Sequence, residues 1–399
     1  MSVQLANRLK SVKPSPTLSL NAKAKALAAK GADVLSFAAG EPDFDTPTHI
    51  KDAIKGALDA GFTKYTATGG IPELKNAIAA KLEAENKLHF SAEQIVVTVG
   101  GKQALYNAFQ ALLSPGDEVV MFAPCWVSYP DMVRLADGVP KIVETSAADN
   151  WTPTPEALKA ALSPRTKAVI FNSPSNPTGA VISRVALESL AAVLRGHNCI
   201  VITDDIYERL LYIPGPFFNI ANVAPDLAPR TLVVNGFSKA FSMTGLRLGY
   251  AAGPKELIAG MQMIQDQSTS NATSVIQQGA VAALKGPSKP IDDMVAAFAR
   301  RRVLMTDGLN AIAGVKCRLP DGAFYCFADM RGLLGKSYKG EAVRGSMQLS
   351  EILLNDFLVA AVPGEPFGAE GFLRLSFATS DANIQKGLER IQKFVSALT

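Results

Sequence analysis

The strongest constraint on the fold is an alternation of short apolar runs with amphipathic stretches, which begins near residue 90. The runs occupy residues 94–99, 118–122, 167–171, 199–203 and 231–235. Apolar residues recur at helical spacing between them, for example over residues 103–113 and 183–194. Strands that alternate with helices predict βαβ units and an α/β fold with a mostly parallel sheet. Runs this apolar are typical of strands that are buried on both faces.

The last hundred or so residues predict a smaller α+β domain. They contain helical patterns at 294–310, 351–355 and 382–397, and strand-like runs at 324–328 and 372–378. A helical stretch at 23–30 has no strands near it in sequence, so we expect it to pack with this smaller domain. The 399 residues exceed one typical domain. The expected organisation is therefore a large domain, 46–290, inserted between two parts of a small one, 1–45 and 291–399.

Charge and composition exclude several classes of protein. Forty basic and 36 acidic residues leave a formal charge of +4, and no long run of like charge suggests a nucleic-acid or membrane partner. Neither a signal peptide nor an apolar stretch of membrane-spanning length is evident. Four scattered cysteines without a C-x-x-C pair favour a reducing, cytoplasmic location. The three histidines lack metal-ligand spacing, so no metal site is expected.

Parallel sheets bind ligands at the carboxyl ends of their strands, so the residues after each run are the candidates for a site. Gly101, Lys102 and Gln103 follow the first run and precede a helix, where free backbone N–H groups could hold a phosphate. A plain strand-to-helix turn explains them equally well. Trp126 follows the second run, where it could stack on a planar ligand or simply fill the core.

Polar residues also follow the next two runs. Asn176 lies in a loop rich in serine and proline, and its amide could contact a ligand or serve only the turn. Asp204 ends a buried strand, where a carboxylate is costly unless a positive group such as a protonated ring nitrogen pairs with it. The alternative for Asp204 is a helix N-cap.

Three basic residues complete the candidates. Lys239 follows Ser238 among small and apolar residues, and burial near Arg247 would lower the pKa of its amine as a Schiff-base lysine requires. A surface lysine is the alternative. Arg374 lies inside an apolar strand, where it faces either solvent or a cleft that binds a carboxylate. Together these groups supply what pyridoxal 5'-phosphate needs: a phosphate cradle, an aromatic plate, an acid and an amine.

With these residues in view, the chain resembles the class I/II aminotransferases of pyridoxal-phosphate fold type I, and most of all their bacterial aspartate aminotransferase branch. The matching motifs cover nearly the whole chain. They include residues 39–44, Lys64-Tyr65, 98–103, 126–129, 173–179, 204–207, Ser238-Lys239, Arg247 and Arg374. Two positions depart from the pattern, since Leu246 stands where many relatives carry Trp and Cys125 where many carry Tyr.

The resemblance implies a role for each matching residue. Lys239 binds the cofactor aldehyde, and Asp204 pairs with the ring nitrogen. The remaining cofactor contacts are Tyr207 and Asn176 at the ring oxygen, Trp126 on the ring face, and Gly101, Lys102, Gln103, Ser238 and Arg247 at the phosphate. Tyr65 is expected to reach the phosphate of a partner subunit, which implies a homodimer with shared active sites. Arg374 would take the substrate α-carboxylate with help from Asn176 and Gly40, and Trp126 would also contact the substrate. Lys13 and Lys102 would attract the distal carboxylate of an acidic substrate.

The reaction that the resemblance implies is a ping-pong transamination between an L-amino acid, aspartate above others, and 2-oxoglutarate. Lys239 would act first as the covalent anchor and then as general acid and base. Prephenate or aromatic amino acids are alternative substrates, and a related C–S lyase is an alternative reaction. A pyridoxal-phosphate-sensing regulator, the third possibility, would need an added DNA-binding segment, for which residues 1–30 leave no room.

Overall fold

The computed structural model describes residues 3–12, 14 and 16–399, and the side chains of 16–18 are outside that description. The α-helices are Pro16–Ala29 (α1), Thr48–Asp59 (α2), Pro72–Asn86 (α3), Gly101–Leu112 (α4), Ser128–Leu135 (α5), Pro155–Ala161 (α6), Arg184–Arg195 (α7), Ile220–Val223 (α8), Lys255–Asp266 (α9), Ser274–Lys285 (α10), Lys289–Asn310 (α11), Ser346–Phe357 (α12) and Asp381–Ser396 (α13). None of the helices in this description is long and apolar enough to cross a membrane.

The strands form one large sheet and several small ones. They are Leu35–Ser36 (β1), Ile95–Thr98 (β2), Glu118–Ala123 (β3), Val139–Glu144 (β4), Thr166–Asn172 (β5), Ile200–Asp204 (β6), Thr231–Gly236 (β7), Gly249–Ala252 (β8), Lys316–Cys317 (β9), Tyr325–Asp329 (β10), Ser337–Tyr338 (β11), Glu341–Ala342 (β12), Val359–Ala360 (β13), Val362–Pro363 (β14) and Phe372–Ser376 (β15). The large sheet has the order β2-β8-β7-β6-β5-β3-β4, and β8 alone runs antiparallel to its neighbours.

The central strands of the large sheet are buried on both faces because helices cover both. Val119 and Met121 of β3 belong to one apolar cluster, whereas Val120 between them belongs to another. Successive residues of a strand point to opposite faces of the sheet, so the two clusters lie on opposite faces, as expected for a sheet with helices on both sides. The prediction of a mostly parallel sheet with helices on its faces is confirmed.

The chain after α10 builds the smaller sheet, β14-β15-β10-β9, whose strands are all antiparallel. Helices α11 and α13 pack against it through Phe298 and Phe394. The N-terminal segment joins this part of the molecule, since β1 pairs in parallel with β13 and Ala24 of α1 shares an apolar cluster with Val362.

The five predicted strands of the large sheet are all present, and their ends differ from the predicted ones by a residue or so. The strands β4 and β8 were not predicted. Strand β8 begins at the carboxyl edge of the sheet, because it runs opposite to β7. The segment between Gly236 and Gly249 therefore leaves that edge and returns to it.

Candidate active site

A cavity of about 790 Å³ opens at the carboxyl edge of the large sheet and is closed on its other side by the smaller sheet and α1. This volume suits a small-molecule site. The cavity brings together most of the residues that the sequence singled out: Gly40, Gly101, Lys102, Trp126, Asn176, Asp204, Tyr207, Ser238, Lys239, Arg247 and Arg374. Arg374 and Tyr325 come from the smaller sheet, Gly101 and Lys102 begin α4, and the others come from strand ends and loops.

Asp204 is the last residue of β6, and only 6% of its surface is exposed. The hydroxyl of Tyr129 donates to its Oδ2 at 2.6 Å, and the amide of Asn172, on the neighbouring strand, donates to its backbone oxygen at 2.8 Å. Burial raises the pKa of Asp204 to about 6, against the lowering effect of the Tyr129 hydrogen bond and the charge of Lys239. The carboxyl is held in one orientation and its ionisation is favoured by any cation placed beside it.

Lys239 lies in the excursion between β7 and β8, and its Nζ donates to the carbonyl oxygen of Gly40. The amine also lies 5.9 Å from the ring centroid of Tyr207. Burial of the amine, followed by repulsion from Arg374 and Arg247, lowers its pKa to about 8. The nitrogen can therefore lose its proton near neutral pH, as a nucleophilic amine must.

The first turn of α4 forms an anion-binding end of the cavity. Gly100 precedes it with a φ of 82°, and a side chain there would meet the guanidinium of Arg247 at 2.7 Å. A Cβ at Gly249 would lie 2.4 Å from the backbone N of Gly101, so β8 presses directly against this turn. Free N–H groups at a helix start, together with Arg247 and Lys102, form a site for an anion.

Arg374 faces the cavity rather than solvent, which resolves the alternative that the sequence left open. Its side chain is 2% exposed, donates to Asn176 Oδ1 at 2.9 Å and to the backbone oxygen of Ala38 at 2.8 Å, and lies over the ring of Tyr325 at 4.4 Å. Its buried Nε has no hydrogen-bond partner, and no carboxylate of the described residues forms an ion pair with it. An unpaired buried guanidinium is costly and is suited to a carboxylate ligand.

Tyr207 and Tyr325 join the two sheets through their hydroxyl oxygens, which lie 2.9 Å apart. Both tyrosines are almost fully buried and line the cavity. Burial raises the pKa of each hydroxyl, so both are protonated at neutral pH.

Two predicted site residues of the described part of the chain, Gln103 and Tyr65, do not line the cavity, and a third, Lys13, cannot be placed. The side chain of Gln103 accepts from Val99 N at 2.6 Å and donates to Thr269 at 2.6 Å, and it does not line the cavity. Tyr65 is 91% exposed and also lies outside the cavity. Lys13 lies outside the described residues. The cofactor and substrate roles of these three stay predictions.

Sequence reasoning missed three residues that shape the site: Tyr129, Asn172 and Tyr325. Asn172 had a usable signal, because it directly follows a predicted strand and pairs in register with Asp204. Tyr129 lies one turn past Trp126, and Tyr325 is one aromatic in an apolar strand, so neither carried a local signal. Cys125 is buried beside Tyr129, and burial raises the pKa of its thiol to about 12, which favours packing over nucleophilic chemistry.

The charges of the cavity fit pyridoxal phosphate. Among the residues that the structure describes, five cationic side chains line it (Lys25, Lys102, Lys239, Arg247 and Arg374), against the two carboxylates of Glu41 and Asp204. The excess of positive charge suits a ligand with a phosphate and a carboxylate. The same cavity contains an amine with a lowered pKa, a buried acid and an aromatic plate, the groups that the aldehyde, ring nitrogen and ring face of that cofactor require.

Comparison with known proteins agrees with this chemistry. The family model for aminotransferase class I and II matches residues 32–391. The chain is 49% identical to the aspartate/prephenate aminotransferase of Cereibacter sphaeroides over 99% of each chain. It is 46% identical to the enzyme of the same name from Nitrosomonas europaea, over 99% of this chain and all of the other.

Solved structures show the same likeness. A crystal structure of the aspartate aminotransferase of Rhizobium meliloti superposes with a TM-score of 0.96, at 44% identity over the full length of both chains. The aspartate aminotransferase of Thermus thermophilus with maleate gives a TM-score of 0.92 at 44% identity, covering 98% of this chain and all of the other.

Proposed function

The chain belongs to the class I and II aminotransferases, which depend on pyridoxal phosphate, and from that premise we propose that it transfers the amino group of L-aspartate to 2-oxoglutarate by a ping-pong mechanism. The observation that carries the proposal is Arg374, a buried guanidinium in the cavity without a carboxylate partner among the described residues. An amino acid or oxo acid supplies that carboxylate.

The proposed cofactor contacts are those that the family resemblance implies, and most of these residues line the cavity. When bound, pyridoxal phosphate supplies an aldehyde that takes up the amino group and a ring that accepts the electron pair left at Cα. Lys239 would hold the aldehyde, Asp204 the ring nitrogen, and Trp126 the ring face. Asn176 and Tyr207 would contact the ring oxygen. The phosphate would be held by Gly101, Lys102, Gln103, Ser238 and Arg247, with Tyr65 contributed by a partner subunit.

Lys239 moves the proton in the proposed reaction. Its lowered pKa, about 8, leaves a useful fraction of neutral amine near neutral pH. With the cofactor aldehyde and the substrate in place, this nitrogen would take the proton from the substrate Cα, hold it and release it again as general acid and base. Its hydrogen bond to the Gly40 oxygen supports this role, because Gly40 is one of the residues that we propose for substrate binding.

Asp204 keeps a proton on the ring nitrogen. Tyr129 and burial fix the carboxyl, and a positive ring nitrogen would favour its ionised form and so be held protonated itself. Arg374, Asn176 and Gly40 would orient the α-carboxylate. Asn176 already accepts a hydrogen bond from Arg374, which fixes the guanidinium before the substrate arrives.

Lys102 and Lys13 are the proposed partners of the distal carboxylate of an acidic substrate. Lys102 lines the cavity with its Nζ 4.7 Å from the ring centroid of Trp126, and repulsion from Arg247 adds to burial in lowering its pKa. Support comes from the relative solved with maleate, a dicarboxylate. Prephenate is the second candidate substrate, because two similar relatives are named for both activities.

A survey of half-reactions tests the proposal. The cofactor-loaded protein is mixed with one amino acid at a time, and the loss of its visible absorbance is followed together with oxo-acid formation. Aspartate and glutamate should react fastest, and prephenate should react with the aminated form. Elimination products formed without any oxo-acid acceptor would indicate a lyase instead. Amines that lack a carboxylate should react poorly, and their fast reaction would contradict the assignment of Arg374.

We also propose an oligomeric state, domain boundaries and a cellular location for the protein. The chain forms a homodimer with shared active sites, which the 91% exposure of Tyr65 supports. The large domain spans 46–290 and the small one 1–45 and 291–399, in keeping with the pairing of β1 and β13. The protein acts in the cytoplasm, where the four buried free thiols would stay reduced. Sedimentation, limited proteolysis and cell fractionation test these three in turn.

A further inference from the structure

We propose that Tyr325 is a positioning residue that couples the carboxylate site to the cofactor site: its ring supports Arg374, and its hydroxyl donates to Tyr207 and so leaves the Tyr207 proton for the cofactor ring oxygen. This inference rests on the proposed function, because it takes the roles of Arg374 and Tyr207 from there. It adds a residue to which neither the sequence motifs nor the reaction assigns a role.

The contacts of Tyr325 place it between the two sites. Its hydroxyl oxygen lies 2.9 Å from that of Tyr207, which follows β6 of the large sheet. The centroid of its ring lies 4.4 Å from the guanidinium carbon of Arg374. Arg374 belongs to β15, which pairs with β10, the strand of Tyr325. A side chain added at Gly40 would meet the Tyr325 hydroxyl at 3.2 Å, so the backbone that accepts from Lys239 also lies against it.

The pair of hydroxyls holds two protons but only one hydrogen bond, so one proton is free to point into the cavity. The charged groups that act on the pair are Arg374, Asp204 and Lys239. Burial raises the pKa of both phenols. Arg374 opposes that rise at each, whereas Asp204 adds to it only at Tyr207.

The guanidinium of Arg374 lies directly over the Tyr325 ring, 4.4 Å from its centroid, and a cation this close strengthens the Tyr325 O–H as a donor, so we assign Tyr325 as the donor of the pair. With Tyr325 donating, the lone pair of Tyr207 is occupied and its own O–H is directed away from Tyr325. That arrangement prepares Tyr207 to donate to an oxygen in the cavity, and it also polarises the Tyr207 O–H bond, which strengthens its donation.

Arg374 receives a different benefit from the same side chain. A guanidinium over an aromatic face gains cation–π attraction, and more so when both groups are desolvated, as they are here. The ring should therefore affect carboxylate binding, and the hydroxyl should affect only the cofactor oxygen. The two parts of Tyr325 can be separated by substitution.

The experiment compares Tyr325→Phe, Tyr325→Leu and Tyr207→Phe as cofactor-loaded proteins. The readouts are the pH midpoint of the visible absorbance change and the KM for the amino acid. A hydroxyl that donates to the ring oxygen stabilises its deprotonated form, so removing it raises the midpoint. We expect a rise of about one unit for Tyr207→Phe and of about half a unit for Tyr325→Phe, the scale of one hydrogen bond.

Two further results are expected. In the Tyr207→Phe background, Tyr325→Phe should cause no additional rise, because its effect passes through Tyr207. Tyr325→Phe should leave KM within about twofold, whereas Tyr325→Leu should raise KM by about fivefold or more, since only the leucine variant lacks the ring.

Tyr212 provides a matched control. Like Tyr325, it has a hydrogen-bonded hydroxyl and a guanidinium over its ring. Its hydroxyl donates to the backbone oxygen of Ala323, and the guanidinium carbon of Arg302 lies 4.8 Å from its ring centroid, but it does not line the cavity. Tyr212→Phe should move neither readout. An unshifted midpoint in Tyr325→Phe, with a clear shift in Tyr207→Phe, would overturn the inference alone. No shift in Tyr207→Phe would overturn the inference together with the proposed role of Tyr207.

Discussion

Replacing Arg374 by methionine should damage activity severely and stability hardly at all. Methionine is apolar and of similar length, so the change removes the charge and its hydrogen bonds while most of the volume remains. The guanidinium would supply two charge-assisted hydrogen bonds to a substrate carboxylate, and losing them leaves that carboxylate unpaired. The expected loss is about 3–4 kcal/mol, or roughly 150- to 900-fold in kcat/KM.

The small effect on stability follows from the missing partner. Breaking the bonds to the Ala38 oxygen and to Asn176 Oδ1 costs about 1–2 kcal/mol each. Removing a buried charge that no described carboxylate balances offsets that cost. The free energy of unfolding should therefore change by about 1 kcal/mol or less.

Lys81→Met is the matched comparison, because it also replaces a buried cation. Lys81 is 7% exposed and pairs with the carboxylate of Glu208, which Asn86 and Asn235 also bind. Removing this ammonium leaves Glu208 buried without a counter-charge, at an expected cost of about 3–5 kcal/mol. Urea unfolding of the loaded proteins and steady-state kinetics with several amino acids measure both effects. An Arg374→Met protein as unstable as Lys81→Met would refute the idea that Arg374 is an uncompensated charge awaiting a ligand.

Three other outcomes are expected. Lys239→Ala should abolish turnover and the visible absorbance of the cofactor, and retention of that absorbance would show that another amine holds the aldehyde. The rate at which the cofactor-free protein captures pyridoxal phosphate should rise with pH through a midpoint near 8 and level off about one unit above it, because the pKa of Lys239 is lowered to about 8 and only the neutral amine attacks. A rate still climbing steeply near pH 10 would contradict this. Gly249→Ala should weaken cofactor binding at least tenfold, since its Cβ would meet Gly101 N at 2.4 Å. Equilibrium dialysis measures this affinity, and an unaltered value would show that the contact relaxes without disturbing the anion site.

The parts of the fold that could be predicted are those where burial on both faces leaves a continuous apolar run, as in β5 and β6. Strand β4 escaped because it is the edge strand, with Val139 and Ile142 exposed and a proline between them. Strand β8 escaped because it is four residues long and begins with glycine. Edge position and close backbone approach weaken the very pattern on which such predictions depend.

The predictable site residues are polar groups that follow strands, because a parallel sheet collects its strand ends at one edge. Lys239 and Asp204 were found in this way. Tyr325 and Tyr129 were missed because their positions depend on how the smaller sheet and α5 pack over that edge. No local pattern records such packing, and an aromatic in an apolar segment is more often a core residue.

The reversal of the chain between β7 and β8 fixes the distance between two cationic groups of the cavity. One short loop leaves and rejoins the sheet, and it delivers Lys239 and Arg247 to the cavity, the second in a left-handed backbone conformation at φ 53°. The spacing between the Lys239 amine and the Arg247 guanidinium, for which we propose aldehyde and phosphate binding, is thereby set inside a single loop. Under these proposed roles, a molecule whose aldehyde and phosphate were one bond closer or farther apart would satisfy one end of the loop and miss the other.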